Sequence, residues 1–240
     1  MNFRQYLSLS LGGGFLLFFG CTAQQITQTI GGVLDTDELT TEEVAEGLKE
    51  ALIKGISKGS DQASRVDGYF KNPRIKIPFP EDVQKVETKL RQIGLGNEVD
   101  KFVLSLNRAA EKAAVEAKPI FVTAIKSLTI QDAWGILKGE NDAATQYLQR
   151  TTTPQLKSKF QPVIKNALNQ VNATKYYSDL VNTYNKIPFI QKVNPDLEAY
   201  ATDKAIEGLF ILIAREEALI RKDPVERTTE ILRKVFGELD

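Results

Sequence analysis

The residue with the most distinctive chemistry in this chain is Cys21, the only cysteine among 240 residues. It follows an uncharged run from Tyr6 to Phe19 and comes directly after Gly20. A single thiol cannot form a disulfide within the chain, and the chain has no histidine to activate a cysteine nucleophile. The placement of Cys21 therefore indicates an attachment point rather than a catalytic group.

Residues 1–20 have the organisation of an export signal. A basic residue precedes the apolar run, which is shorter than the roughly 20 residues that a helix needs to cross a bilayer. Gly20 before Cys21 resembles the bacterial lipobox, although Phe18 stands where a smaller aliphatic residue is usual. The resemblance implies a signal peptide at 1–20 and a diacylglycerol on Cys21, with simple secretion as the alternative. Because Thr22 rather than aspartate follows, it also implies the outer membrane, at the periplasmic face.

A second group of candidate site residues consists of charged side chains in apolar helical stretches: Glu111, Asp203, Glu207, Glu217 and Arg221. Asp203 and Glu207 are four residues apart, so they share one helix face and repel each other unless a cation or solvent relieves them. Glu217 and Arg221 have the same spacing and could pair directly. Gathered together, Glu111, Asp203 and Glu207 would form an oxygen-ligand site for calcium or magnesium, or an acid–base pair. We favour the alternative, in which they form an ion-pair network with nearby basic residues.

The composition excludes several classes of site. A chain without histidine cannot assemble a Ser-His-Asp or Cys-His system, and zinc, copper and haem lose their usual ligands. The G-x-S-x-G pattern at Gly55–Gly59 lies in a helical stretch rather than after a strand, so it does not mark a hydrolase nucleophile. Because 31 basic residues balance 31 acidic ones, nucleic-acid binding has no electrostatic support. We expect no catalytic residue, no metal site and no cofactor, with a hydrolase that uses carboxylates alone as the remaining enzymatic alternative.

The elements that would position these residues are helices, so we predict an all-α fold. A single multi-helix, bundle-like domain should occupy residues 40–240, after a lipidated N-terminus and flexible tether at 21–39. Capping patterns or prolines predict helix starts at Thr40, Glu81, Asn97, Thr129, Asn141 or Asp142, Pro154, Pro195 and Asp223. The run Ile206–Ala214 is apolar nearly all round and should be the central buried helix.

Two segments depart from the helical pattern. Residues 72–80 contain three prolines and alternate apolar with polar side chains, so we predict an extended segment, either a short strand or a strap across the helices. Lys175–Tyr177, Tyr184 and the loop 187–193 bring aromatic and aliphatic residues together. If exposed, these residues would mark a contact with a partner or with lipid; the favoured alternative is that they cover the core from one side.

Five stretches occur in the order and spacing of a known family: IKIPFP (Ile75–Pro80), NRAAEKA (Asn107–Ala113), DAWGILKGENDAATQYL (Asp132–Leu148), YATDKAIEGLF (Tyr200–Phe210) and EEALIRKDP (Glu216–Pro224). From about Gly47 to Gly237 the chain resembles the bacterial domain of unknown function 4197. The resemblance implies an exported, mostly helical protein of Gram-negative bacteria, often with a lipoprotein signal. It implies no activity.

Two functions are consistent with these observations. The first is a lipid-anchored, non-catalytic envelope protein that acts through a protein partner or as an accessory factor, with the membrane contacted through its N-terminal lipid. The second is a periplasmic domain that holds a hard cation or an amphiphile between helices, near Glu111, Glu207 and Glu217.

Overall fold

The computed structural model describes residues 40–186, 188–189, 192–222, 233 and 235. Cys21, the predicted signal peptide, the tether and the helix start predicted at Asp223 lie outside the described residues. Leu39–Asp240 makes one compact unit.

The described residues form eight α-helices and one short 3-10 helix, and no strand occurs among them. The predicted all-α class is confirmed. The α-helices are α1 (Thr41–Ser64), α2 (Gln84–Gln92), α3 (Gly96–Ala114), α4 (Ala117–Lys126), α5 (Ile130–Leu137), α6 (Ala143–Gln170), α7 (Ala173–Tyr184) and α8 (Leu197–Lys222). The 3-10 helix is Glu81–Val83 and leads directly into α2.

Two helix starts follow directly from local sequence. At α1, the Thr40 hydroxyl accepts a hydrogen bond from the Glu43 N–H, and the Glu43 carboxylate accepts one from the Thr40 N–H. Thr129 and Asp132 make the same reciprocal pair at the start of α5. These capping boxes satisfy N–H groups that a helix terminus otherwise leaves without partners, so both starts were predictable.

Helix α1 packs closely against α8 at two of its glycines. A Cβ atom on Gly55 would be 3.0 Å from Ile220 Cδ1, and one on Gly59 would be 3.6 Å from the Leu212 carbonyl carbon. The absent side chains thus allow close contact between α1 and α8. The G-x-S-x-G pattern is therefore part of a helix–helix interface, and α1 continues through Gly59 to Ser64.

The helix start predicted at Pro154 is wrong, because α6 runs unbroken through Pro154 and Pro162. Fully or nearly fully buried side chains recur every four residues along it: Leu148, Thr152, Leu156, Phe160, Ile164 and Leu168. A proline inside a helix costs about 3 kcal/mol, and burial of this stripe offsets that cost. The three threonines before Pro154 also donate their hydroxyls to carbonyls one turn earlier.

Helix α8 is the central helix of the bundle, as predicted. It contacts α1, α3 and α6, and it buries Leu209, Leu212 and Ile213 almost completely. Glu207 does not interrupt this core, because its side chain lies on the exposed face of α8. The alanines in the second half of α3 are also buried almost completely, which is consistent with close approach of its neighbours; they are Ala109, Ala110, Ala113 and Ala114.

The proline-rich segment crosses the helices without forming a strand. Residues 73–75 form a turn, and the alternating side chains Ile75, Ile77 and Phe79 are all buried. The Asn107 amide replaces a strand partner: its Oδ1 accepts from the Ile77 N–H, and its Nδ2 donates to the Ile77 carbonyl, each at 2.8 Å. A fully buried side chain of α3 thus fixes this segment against the bundle.

Within the described residues, no single helix has both the length and the hydropathy of a membrane span. The pair α4 and α5 reaches those values only when the two are taken together, across a bend of 108°.

Candidate functional site

Helix α8 carries a buried ion pair that reaches the start of α6. Glu217 Oε1 lies 2.9 Å from Arg221 Nη2, and the two side chains are 5% and 9% exposed. The Glu217 carboxylate accepts hydrogen bonds from the N–H groups of Ala144 and Thr145 and from the Thr145 hydroxyl, at 2.7–3.0 Å. Glu217 therefore caps the N-terminus of α6 from another helix, where a negative charge is favoured.

Arg221 reaches the end of the preceding helix. It donates to the carbonyls of Ile136 and Leu137, in the last turn of α5. Asp142, one of the two caps predicted for α6, makes no capping hydrogen bond, because Glu217 takes the N–H groups that it would have bound. One ion pair of α8 thus holds the end of α5 and the start of α6, on either side of the turn that joins them.

Glu111 belongs to a second cluster. Its Oε1 accepts from the N–H groups of Tyr69 and Phe70 at 3.1 and 3.2 Å, and its Oε2 lies 2.6 Å from Arg108 Nη1. Arg108 also contacts Asp67 at 2.6 Å. The Glu111 side chain is 5% exposed. The cluster fastens the turn after α1 to α3.

Asp203 and Glu207 lie in water rather than in the core. Asp203 pairs with Lys157 at 2.8 Å and Glu207 with Lys204 at 2.9 Å, and both carboxylates are 58% exposed. Different cations therefore relieve the repulsion expected from their spacing.

The structure does not bring Glu111, Asp203 and Glu207 to one oxygen-ligand site. Each carboxylate has its own basic partner, and Glu111 is buried whereas the other two are exposed. In the described ranges, no group of three or more acidic or cysteine side chains is arranged to hold a metal ion. Cys21, the predicted lipid attachment, lies outside the described residues.

The feature best suited to a ligand is a half-open apolar pocket of about 760 Å³ where α2, α3 and α7 meet. Its walls are formed by Leu90 of α2, by Val99 and Phe102 of α3, and by Ala173, Tyr177 and Leu180 of α7, with Phe79 from the proline-rich segment. A volume of this size lies within the range of about 300–1,000 Å³ that is typical of small-molecule sites.

Aromatic rings form one wall of the pocket. The Phe79 and Phe102 ring centroids are 5.1 Å apart, and the Phe102 ring stacks on that of Tyr177 at 6.1 Å. Burial, with a smaller contribution from the negative charge of Asp82, raises the pKa of Tyr177 to about 12. The Tyr177 phenol therefore stays protonated at neutral pH, and this wall carries no charge.

The mouth of the pocket exposes further apolar surface. Leu95, Val171 and Tyr176 line it with exposed fractions of 40%, 52% and 66%. Glu98 and Lys101, both exposed, are the charged lining residues. The pocket thus combines an apolar interior with a charged rim, which suits a molecule that has an apolar body and a polar end.

One side of this pocket was predictable from the sequence and the other was not. Tyr176 and Tyr177 belong to the predicted apolar patch, and the structure divides them: Tyr176 is exposed at the mouth and Tyr177 is buried in the wall. Val99 and Phe102 have the spacing of core positions in an amphipathic helix, so no sequence signal distinguishes them as pocket residues. Residues 187, 190 and 191 of the predicted apolar loop lie outside the described residues.

Among known protein families, a model described as "Protein of unknown function (DUF4197)" matches residues 38–237. Neither a curated protein nor a solved structure matches the chain significantly.

Proposed function

Since the chain belongs to the DUF4197 family, whose function is unknown, we propose a role for it from its pocket. The protein is a non-catalytic amphiphile-binding protein. The ligand is an acyl chain held in the apolar pocket between α2, α3 and α7. Cys21 carries the lipid that anchors the protein to the periplasmic face of the outer membrane in a Gram-negative envelope. The anchor keeps the pocket close to a source of acyl chains.

The observation that carries this proposal is the uncharged interior of the pocket. Phe79, Phe102 and Tyr177 form one wall, and the Tyr177 phenol is neutral at physiological pH. Burial of apolar surface contributes about 25 cal/mol per Å², so an acyl chain gains free energy here without needing a directional partner. Lys101 at the rim is placed to contact an anionic or dipolar head group.

The dimensions of the pocket favour a small ligand over a protein. Thirteen residues line it. A stable protein–protein interface uses about 20–30 residues on each side, and it is flatter than a half-open cavity.

Binding rather than catalysis is supported by what the buried carboxylates do. Glu111 and Glu217 bind backbone N–H groups and arginines, and Glu216 pairs with Lys58 at 3.0 Å. A carboxylate whose oxygens already accept hydrogen bonds from an arginine and from backbone N–H groups is poorly placed to take a proton from a substrate.

A second candidate is the docking of an envelope protein on the pocket mouth. It is favoured by the exposed apolar side chains of Val171 and Tyr176. Failure of the pocket to bind an acyl-chain probe would leave this as the better function.

The test is a titration with N-phenyl-1-naphthylamine, a neutral probe that fluoresces in apolar sites. The protein is the chain of residues 22–240, which contains the whole compact unit 39–240. We expect saturable binding of one probe per chain and its displacement by dodecanoate. Val171→Glu should weaken probe binding by about tenfold or more, because the ligand would bury a carboxylate at the mouth.

Val115→Glu is the matched control. Val115 is exposed to 60%, close to the 52% of Val171, but it does not line the pocket. Probe affinity in Val115→Glu should equal that of the unmodified chain. Absence of saturable binding, or equal weakening in the two variants, would refute the pocket as an acyl-chain site.

A further inference from the structure

A second pocket of about 520 Å³ lies beside the turn that follows α1. It is polar and strongly basic: Arg65, Lys71 and Arg74 of the turn and Arg215 of α8 line it, with Asp67 as the acidic member. None of these residues lines the apolar pocket, so a ligand here would be independent of the proposed acyl-chain site.

The turn that carries three of these cations is held in place by contacts with the bundle. A Cβ atom on Gly68 would overlap the Gln62 carbonyl oxygen, so the turn folds back on the end of α1 at a distance that only glycine allows. The Gly68 N–H donates to the Arg65 carbonyl at 2.9 Å. Glu111 accepts from the next two N–H groups of the turn. The basic side chains therefore project from a preformed backbone.

Asp67 does not neutralise the arginines of the pocket. Its carboxylate contacts Lys71 at 2.9 Å and Arg108 at 2.6 Å, and these two hydrogen-bonded cations lower its pKa. The negative charge of Asp67 is thus already compensated by Lys71 and Arg108.

Three guanidinium groups of the pocket have no partner among the described residues. In that part of the chain, the side chains of Arg65, Arg74 and Arg215 make no ion pair and no hydrogen bond. The chain as a whole has equal numbers of basic and acidic residues, so three unmatched arginines around one pocket are a local concentration of positive charge. Like charges held together repel, and an anion that binds between them relieves the repulsion.

We propose that this pocket binds a phosphate group. Arginine offers a planar fork of N–H donors that matches phosphate oxygens bidentately, and several forks can share one multiply charged anion. A phosphate with two negative charges matches three guanidiniums better than a single carboxylate does. The group could belong to a soluble phosphorylated molecule or to a lipid head group, and the test separates these sources.

The first arm of the test is calorimetric titration of residues 22–240 with inorganic pyrophosphate. We expect binding that weakens as salt is added, because exposed charges are screened. The double variant Arg74→Gln with Arg215→Gln should lose about tenfold or more in affinity, since hydrogen bonds to charged groups are the strong ones. All three pocket arginines are exposed, so the variant should fold as the unmodified chain does.

Arg150→Gln is the control, because it removes an exposed arginine that does not line the pocket. The second arm measures sedimentation with phosphatidylcholine vesicles with and without phosphatidic acid. If the double variant loses binding to the vesicles with phosphatidic acid, the ligand is a lipid phosphate. If it loses pyrophosphate binding and its vesicle binding is unchanged, the ligand is a soluble phosphate. The proposal is overturned if the unmodified chain binds neither ligand, or if Arg150→Gln costs as much affinity as the double variant.

Discussion

Replacing Glu217 with alanine is expected to lower the free energy of unfolding by about 3–5 kcal/mol. Its carboxylate is almost completely buried and caps α6 through three hydrogen bonds. The substitution breaks the buried ion pair with Arg221, and it removes the acceptor that the N–H groups of Ala144 and Thr145 use. Loss of one partner of a buried ion pair and unsatisfied buried donors are among the costliest defects that one substitution can produce.

Urea denaturation monitored by circular dichroism measures this effect, provided that the slope of the transition is unchanged. Glu207→Ala is the control, since it removes a carboxylate from the same helix in an exposed ion pair with Lys204. Exposed pairs contribute about 0–1 kcal/mol, so this variant should unfold almost as the unmodified chain does. Equal losses in the two variants would show that Glu217 does not organise the α5–α6 hairpin.

Replacing Cys21 with serine is expected to abolish lipidation and to move the processed protein from the membrane fraction to the soluble fraction. Each buried methylene contributes about 0.8 kcal/mol, and stable anchoring takes more than one acyl chain. Without the thiol there is no attachment point for any chain. The readouts are membrane fractionation and incorporation of radiolabelled palmitate in a Gram-negative host.

Thr22→Ser is the matched control, because it changes the next residue and keeps the cysteine. This variant should incorporate palmitate and remain in the membrane fraction. An uncleaved signal peptide could also keep Cys21→Ser in the membrane fraction. Palmitate incorporation still tests lipidation in that case, because it does not depend on where the protein fractionates. Equal palmitate incorporation in Cys21→Ser and the unmodified protein would contradict the anchor.

Features that depend on a few adjacent residues were predictable from sequence. The capping boxes at Thr40 and Thr129 need partners only three residues away, and both form as expected. The pairing of Glu217 with Arg221 follows from their spacing on one helix turn. The burial of Ile206, Leu209, Leu212 and Ile213 follows from the apolar composition of their helix, although Ile211 of the same run is 39% exposed.

Features that depend on packing between distant segments were not predictable. Pro154 indicates a helix start locally, but the buried stripe of α6 extends across it. Glu217 caps a helix more than 70 residues earlier in the chain, and Glu111 binds backbone groups about 40 residues away. The apolar pocket needs Phe102 of α3 beside Tyr177 of α7, a contact that no spacing in the sequence encodes.

The central claim is that the pocket between α2, α3 and α7 holds an acyl chain. Crystals of residues 22–240 grown with a fatty acid brominated at its terminal carbon test it most directly. Anomalous scattering locates the bromine even where the electron density of the acyl chain is weak. We predict a bromine position within the pocket, against the rings of Phe79, Phe102 and Tyr177. A bromine bound elsewhere on the protein, or an empty pocket in crystals saturated with the ligand, would contradict the proposed function.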